Sequence, residues 1–184
     1  DLPGAFSLTP FSIEEKITAD CILDEIDRED CYILNLIESN TIKRSLNLTL
    51  ELLEANFKVL TIINEIGKSE KQIDAKNLGE LLGIKVYCVN VRKQKCLDFI
   101  FSLSNYRRSK SLLYVEKFKQ CAKDFNPIVA IKICEKDENV LKKFNLSEND
   151  CKEIRQKLGT NNLNMSAFFN YRLSVINKVC TIQG

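Results

Sequence analysis

Three short apolar runs punctuate the first half of the chain: YILNLI (32–37), VLTIIN (59–64) and VYCVNV (86–91). None alternates apolar with polar positions, so each predicts a strand buried on both faces, as in a parallel sheet. The intervening segments carry a helical period. Ile13, Ile17, Cys21 and Ile22 space one apolar face, and Leu46, Leu50 and Leu53, with Leu52, space another. Leu78, Leu81 and Leu82 mark a shorter face before Gly83, which is placed to cap the C-terminus of its helix. Helix, strand, helix, strand, helix, strand and helix in that order predict an α/β fold with a doubly wound parallel sheet of three visible core strands.

Around residues 104–111 the texture changes. SNYRRSKS is polar, basic and aperiodic, and no buried strand of the earlier kind recurs after it. Helices are predicted at about 112–125, at 127–136 (opened by Asn126-Pro127), at 148–158 between Ser147 and Gly159, and at about 165–180. The predicted boundary therefore falls near residue 108: an α/β unit over 1–107 and a small helical domain over 108–184. Arg107, Arg108 and Lys110 read as a solvated linker, and Phe168, Phe169 and Tyr171 as helix packing. Glu14 and Glu15 read as first-turn acids that favour the helix dipole.

Composition narrows the function. With 27 basic and 25 acidic side chains the net charge is +2, which gives no global electrostatic case for nucleic acid or an anionic membrane. Histidine is absent, which excludes Ser-His and Cys-His triads and histidine-ligated metals within these residues. The eight cysteines form no C-x-x-C and lie in apolar or helical segments, as expected of reduced, mostly buried thiols in a cytosolic protein. No apolar run approaches the ~18 residues that cross a bilayer, and the N-terminus lacks the features of a signal peptide. A soluble segment is expected. A chain running from Asp1 to Thr-Ile-Gln-Gly is compatible with being an excerpt from something longer.

Open α/β sheets bind ligands at the carboxyl ends of their strands. Asp1-Leu2-Pro3-Gly4 fits D-x-x-G, which ends a strand and faces a nucleotide γ-phosphate. In P-loop hydrolases that Asp reaches Mg²⁺ through water and the Gly amide bonds the phosphate, glycine being needed for close approach. A plain Pro-Gly turn is the competing reading. At the second strand end, Asn64-Glu65-Ile66-Gly67 stands where guanine-binding proteins carry N-K-x-D, and only Asn64 matches. At the third, Asn90-Val91-Arg92 stands where such proteins often carry S-A-[KR], whose backbone amides meet the guanine carbonyl. The three motifs fall at successive strand ends in the right order, a joint signal stronger than any one of them.

The stretch DLPGAFSLTPFSIEEKITADCIL resembles the D-L-P-G-x-Y-S-L-x-P-x-S-x-E-E segment of the ferrous iron transport protein B (FeoB) family. The likeness continues through NLIESNTIKRSLNLTLELLEANFKVLTIINEI and IDAKNLGELLGIKVYCVNVRK. It reaches the helical part at Ile128-Val129-Ala130-Ile131-Lys132 and Phe169-Asn170-Tyr171-Arg172, similar to W-x-A-I-K and A-R-Y. The resemblance implies a GTP-binding domain, a helical spacer that damps nucleotide release, and a downstream membrane-spanning permease region in the same polypeptide that moves Fe²⁺ inward. It places the segment on the cytoplasmic face of the membrane, with guanine nucleotide and Mg²⁺ as cofactors and no nucleic acid partner; a homo-oligomer stays open. Asp1 (to Mg²⁺ through water) and Gly4 carry over as phosphate-side residues, and Ala5, Phe6, Ser7 and Leu8 open the second switch, residues 5–15. Asn64, Asn90, Val91 and Arg92 carry over as base-side residues.

Departures limit what is expected. A Gly-rich phosphate loop and first switch are not among these residues, Glu38 replaces the usual Asp, and Glu65 and Gly67 replace the guanine-reading side chains. Catalytic residues are therefore not assigned. A GTPase is implied by resemblance, yet the 184 residues alone are expected neither to bind GTP tightly nor to hydrolyse it. The alternative is a degenerate, nucleotide-independent interaction module that keeps the fold and has lost the guanine code.

Overall fold

A computed structural model describes residues 1–65, 73–90, 125–157 and 166–181. Strands β1 (Tyr32–Glu38), β2 (Lys58–Asn64) and β3 (Val86–Val89) form a parallel sheet in the order β1-β2-β3. Helix α1 (Ile13–Asp24) precedes β1, α2 (Ile42–Glu54) links β1 to β2, and α3 (Ala75–Leu82) leads into β3. A 3₁₀ turn, Ser39–Thr41, opens α2. Asn56, at φ 66°, stops α2 and lets the Phe57 amide reach back to the Leu52 carbonyl, 3.1 Å away. Gly83, at φ 70°, ends α3 as its place in the sequence predicts. Leu46, Leu50 and Leu53 of α2 bury against Ile37, Val59 and Ile63 of the sheet in one core that also takes in the helical part.

Burial along the strands differs from the expectation for two of the three, since β3 is only half-buried from Val86 to Val89. β2, the central strand, is buried from Val59 to Ile63, as its continuous apolar run requires. β1 instead alternates, with Tyr32, Leu34 and Leu36 exposed at 42%, 46% and 59%. Its odd positions face α2, where Asn35 Nδ2 donates to Thr49 Oγ1 at 2.8 Å, and its even positions take the opposite face. β1 has one described neighbour in the sheet, so the run of leucines does not by itself produce two-sided burial.

The apolar face of α1 is also not the expected one. Thr18, Ala19, Ile22 and Leu23 are buried, while Ile13, Ile17 and Cys21 are exposed. Polar ties turn the helix. Thr18 Oγ1 donates to the Pro3 carbonyl at 2.6 Å, and Lys143 Nζ holds the Asp20 carbonyl and the Asp24 carboxylate at 3.0 and 2.6 Å.

Among the described residues four helices follow: α4 (Pro127–Glu135), α5 (Glu138–Lys143), α6 (Glu148–Lys157) and α7 (Ser166–Thr181). Asn126 caps α4 by accepting from the Ile128 amide (3.1 Å), with Pro127 in the first turn as expected, and its Nδ2 donates to the Ala55 carbonyl (3.1 Å). Ser147 caps α6 through the Asp150 amide. α5 is an element the sequence period does not predict; Asp137 caps it by accepting from the Asn139 and Val140 amides. α7 and α4 pack on α2, so the helical part shares its main contact with the helix that follows β1. The expected boundary at 108, the linker arginines, the helix at 112–125 and Gly159 lie outside the described residues. Among the described residues no helix is long and apolar enough to cross a membrane.

Candidate functional site

The parallel register brings the three strand ends level. Glu38 stands opposite Asn64, and Asn64 opposite Val89. The Glu65 amide donates to the Val89 carbonyl at 2.8 Å, extending the pairing one step beyond the strands. Asn64, Glu65 and Asn90, each half-buried, therefore share one rim of the sheet. Val91, Arg92 and Gly67 lie outside the described residues. Behind the rim, burial first, then the charges of Glu65 and Asp74, push the Cys88 thiol up to about 11, so it is uncharged at neutral pH.

Asp1 and Gly4 are exposed, and a Cβ built on Gly4 meets nothing within 4 Å. The chain then turns inward. Ala5, Phe6 and Ser7 are half-buried and Leu8 fully buried. The Arg44 guanidinium lies over the Phe6 ring, 3.8 Å from its centroid, and Asn47 Nδ2 donates to the Phe6 carbonyl at 3.3 Å. Among the described residues no group of three acids or cysteines could hold a metal ion.

Inward of this loop lies a buried cluster of charge. Glu51 and Glu54 of α2, Lys132 of α4 and Arg172 of α7 are each exposed by 5% or less. Arg172 grips Glu54 through two bonds, Nε at 2.9 Å and Nη2 at 2.6 Å, and places Nη1 3.2 Å from Glu51 and 3.1 Å from Glu135. Lys132 Nζ donates to Glu51 and Thr9 Oγ1, both at 2.7 Å, and pairs with Glu135 at 3.1 Å. The Leu8 amide and Ser7 Oγ donate to Glu51 as well, at 2.5 and 3.0 Å.

With Asp137, 3.9 Å from Lys132 Nζ, four acids thus face two bases, and the excess acceptors are met by amides and hydroxyls. Burial pushes the Glu51 carboxyl up, but the charges of Lys132 and Arg172 and the bonds from Lys132 and Leu8 outweigh it and hold the group below the usual carboxylate range. Burial pushes the Lys132 ammonium down, and Glu51 and Glu135 more than reverse this, raising it. Arg172 is raised in the same way, with Glu54 the leading partner.

The structure thus brings Asn64 and Asn90 to one rim and ties Phe6, Ser7 and Leu8 to α2. The network of Thr9, Glu51, Glu54, Lys132, Glu135, Asp137 and Arg172 is not predicted as a unit by the sequence. The one signal for it was a lysine inside the apolar run IVAIKIC.

A three-stranded parallel sheet with helical crossovers and polar loops at its carboxyl rim is a doubly wound α/β arrangement, and it matches the fold of P-loop GTPase G domains. Solved structures agree. A variant of S. thermophilus NFeoB bound to GDP·AlF4− superposes with TM-score 0.78 at 26% identity over 98% of this chain and 79% of that one. The cytosolic domain of L. pneumophila FeoB gives 0.73 at 21% identity, over 99% and 78%. The family model for ferrous iron transport protein B matches residues 1–103, and the chain belongs to that family. The Fe(2+) transporter FeoB of Helicobacter pylori (strain ATCC 700392 / 26695) is 33% identical over 98 residues, 52% of this chain and 15% of its own length. Its namesake from Staphylococcus aureus (strain COL) is 26% identical over 137 residues, 70% of this chain and 20% of its own. The chain therefore spans about a fifth or less of the curated relatives it matches.

Proposed function

We propose that this chain is the guanine-nucleotide-binding regulatory part of a ferrous iron membrane transporter, acting at the cytoplasmic face and passing its state to a permease region of the same polypeptide. The observation that carries the proposal is the common rim: the register sets Asn64 and the loop at Asn90 side by side at the carboxyl ends of β2 and β3, and the family match over residues 1–103 supports reading that rim as a nucleotide site. The residues present fit the base side and the phosphate-reporting side of a nucleotide site. Asn64, Asn90, Val91 and Arg92 would hold the base, and Asp1 and Gly4 the Mg²⁺ water and γ-phosphate. The open space at Gly4 leaves its backbone approachable from solvent. Bound Mg²⁺ would neutralise phosphate charge. Ala5 to Leu8 would act as the second switch, reporting the phosphate inward toward Glu51. The division into a G domain (1–107) and a helical domain (108–184) that slows nucleotide release belongs to the same proposal.

Titration of the full-length protein with fluorescent GDP tests it. Saturable binding displaced by GTP is expected, with Asn64→Ala at least ten-fold weaker. Residues 1–184 alone should show no sub-micromolar affinity for GTP. Failure of the full-length protein to bind any guanine nucleotide would overturn the proposal in favour of a nucleotide-independent interaction module.

A further inference from the structure

Residues 7–9 make consecutive bonds to two different parts of the molecule. Ser7 Oγ and the Leu8 amide donate to Glu51 of α2, whereas Thr9 Oγ1 donates to Asp137 at 2.5 Å and accepts from Lys132 at 2.7 Å, both at the α4–α5 corner. Lys132 closes the circuit by donating to Glu51 at 2.7 Å. Asp137 is committed at its other oxygen, Oδ1, which caps α5 through the Asn139 and Val140 amides at 3.0 and 3.3 Å. The result is a ring: loop backbone, Glu51, Lys132, Thr9 and back to the loop.

Glu51, Lys132 and Asp137 are buried, so opening the ring at one bond leaves a charge short of a partner away from water. A ring of this kind favours two discrete arrangements, closed or fully released, over a graded one. We infer that Thr9 is a positioning residue: its hydroxyl ties the loop that follows Asp1–Gly4 to the α4–α5 corner, so that loop and corner move as one. The threonine suits this because a single hydroxyl both donates and accepts, here to a carboxylate and from an ammonium. The corner is in turn sensitive to the loop, because the carboxylate that receives the Thr9 proton also starts α5.

The structural half of the inference stands without a nucleotide; its consequence for nucleotide release rests on the function proposed above. Hydrogen exchange on the full-length protein, with no nucleotide added, separates the two. Thr9→Val keeps the shape and loses both bonds, and is expected to speed exchange at least ten-fold at the Leu8 amide and at the Asn139 and Val140 amides. Thr9→Ser keeps the hydroxyl and should stay within two-fold of wild type. Thr9→Ala serves the same test should Thr9→Val not fold.

A rise confined to one of the two regions, or no rise, overturns the inference. In the second arm, dissociation of pre-bound fluorescent GDP should change at least five-fold in Thr9→Val and not in Thr9→Ser. Faster exchange in both regions with unchanged GDP dissociation overturns the link to release. Faster exchange in a protein whose wild type binds no guanine nucleotide supports the ring while refuting the proposed function.

Discussion

The rim of the sheet and the cluster behind α2 are both rich in charge and hydrogen bonds, and they are built by opposite rules. At the rim, Asn64 and Asn90 are half-buried, and in the N-terminal loop Asp1 and Gly4 stand in water. In the cluster, Glu54 and Lys132 are 0% and 1% exposed. Exposed polar groups can wait for a ligand at little cost, because water satisfies them meanwhile. Buried charges need a protein partner at all times, since one left unpaired costs several kcal/mol. The cluster is therefore a device of the fold, and the rim is where ligand chemistry has room to act.

The largest effect should come from breaking the cluster at one point. Arg172→Met removes the bidentate partner of Glu54 and the Nη1 partner of Glu51 and Glu135, leaving acid charge stranded. A loss of about 3–5 kcal/mol is expected by urea denaturation of the full-length protein. Arg172→Lys should recover less than half of it, because a single ammonium cannot reproduce two parallel bonds to one carboxylate. Asp1→Asn should cost no more than about 0.5 kcal/mol. An exposed-loop variant as damaging as Arg172→Met would erase the distinction between exposed and buried polar groups.

Acid should open the same cluster more gently. The folded Glu51 carboxyl is held below its ordinary value, so its contribution is present above the unfolded value, about 4.3, and is lost as pH falls through the lower folded one. Lys132 is raised, so its contribution is present below the unfolded value of about 10.4 and lost as pH rises through the folded one. Stability from this pair should therefore be level across neutral pH and fall on the acid side below about pH 4.3. Urea midpoints measured from pH 7 to pH 3 should drop more steeply for wild type than for Glu51→Gln. Equal slopes would show that Glu51 is not the titrating member.

The same division explains what could be read in the residues alone. β2 was legible because a central strand shows its burial as an unbroken apolar run. β1 has a similar run, but its burial depends on what lies on each side, which its own residues do not state. The α1 face was misread because isoleucine spacing says nothing of the Thr18 bond to Pro3 that turns the helix. Six residues of α5 are too few to display a period.

The strand ends at Asn64 and Asn90 were legible because each apolar run stops there on a polar residue. The cluster was not, because Glu51 sits 81 residues from Lys132 and 121 from Arg172. No local pattern joins positions so far apart. In LTLELLE the two glutamates pass for the solvent side of an amphipathic helix. Only Lys132, flanked by Ile131 and Ile133 in a fully buried turn, pointed to an interior charge.

Two glycines carry the comparison to its smallest scale. Gly79 lies on α3 where a Cβ would stand 2.8 Å from the Ile84 carbonyl oxygen and 3.7 Å from the Val86 amide nitrogen, both backbone atoms. Alanine is the better helix former, but here the backbone leading into β3 must shift to admit it. Gly79→Ala should therefore cost about 1–3 kcal/mol. Gly4 has open space around it, and no positive φ among the described residues falls on it. Gly4→Ala should leave stability within about 0.5 kcal/mol of wild type, since alanine also restricts the unfolded chain. If Gly4 serves the γ-phosphate, the added methyl should weaken triphosphate binding more than diphosphate binding in the full-length protein. Thermal melts beside paired GTP and GDP titrations read both quantities. A glycine costly to replace for folding marks a packed backbone, and one costly only for the triphosphate marks a backbone kept clear for a ligand. Equal weakening of GTP and GDP by Gly4→Ala would remove Asp1–Gly4 from the phosphate-reporting role and leave the proposed site with its base side alone.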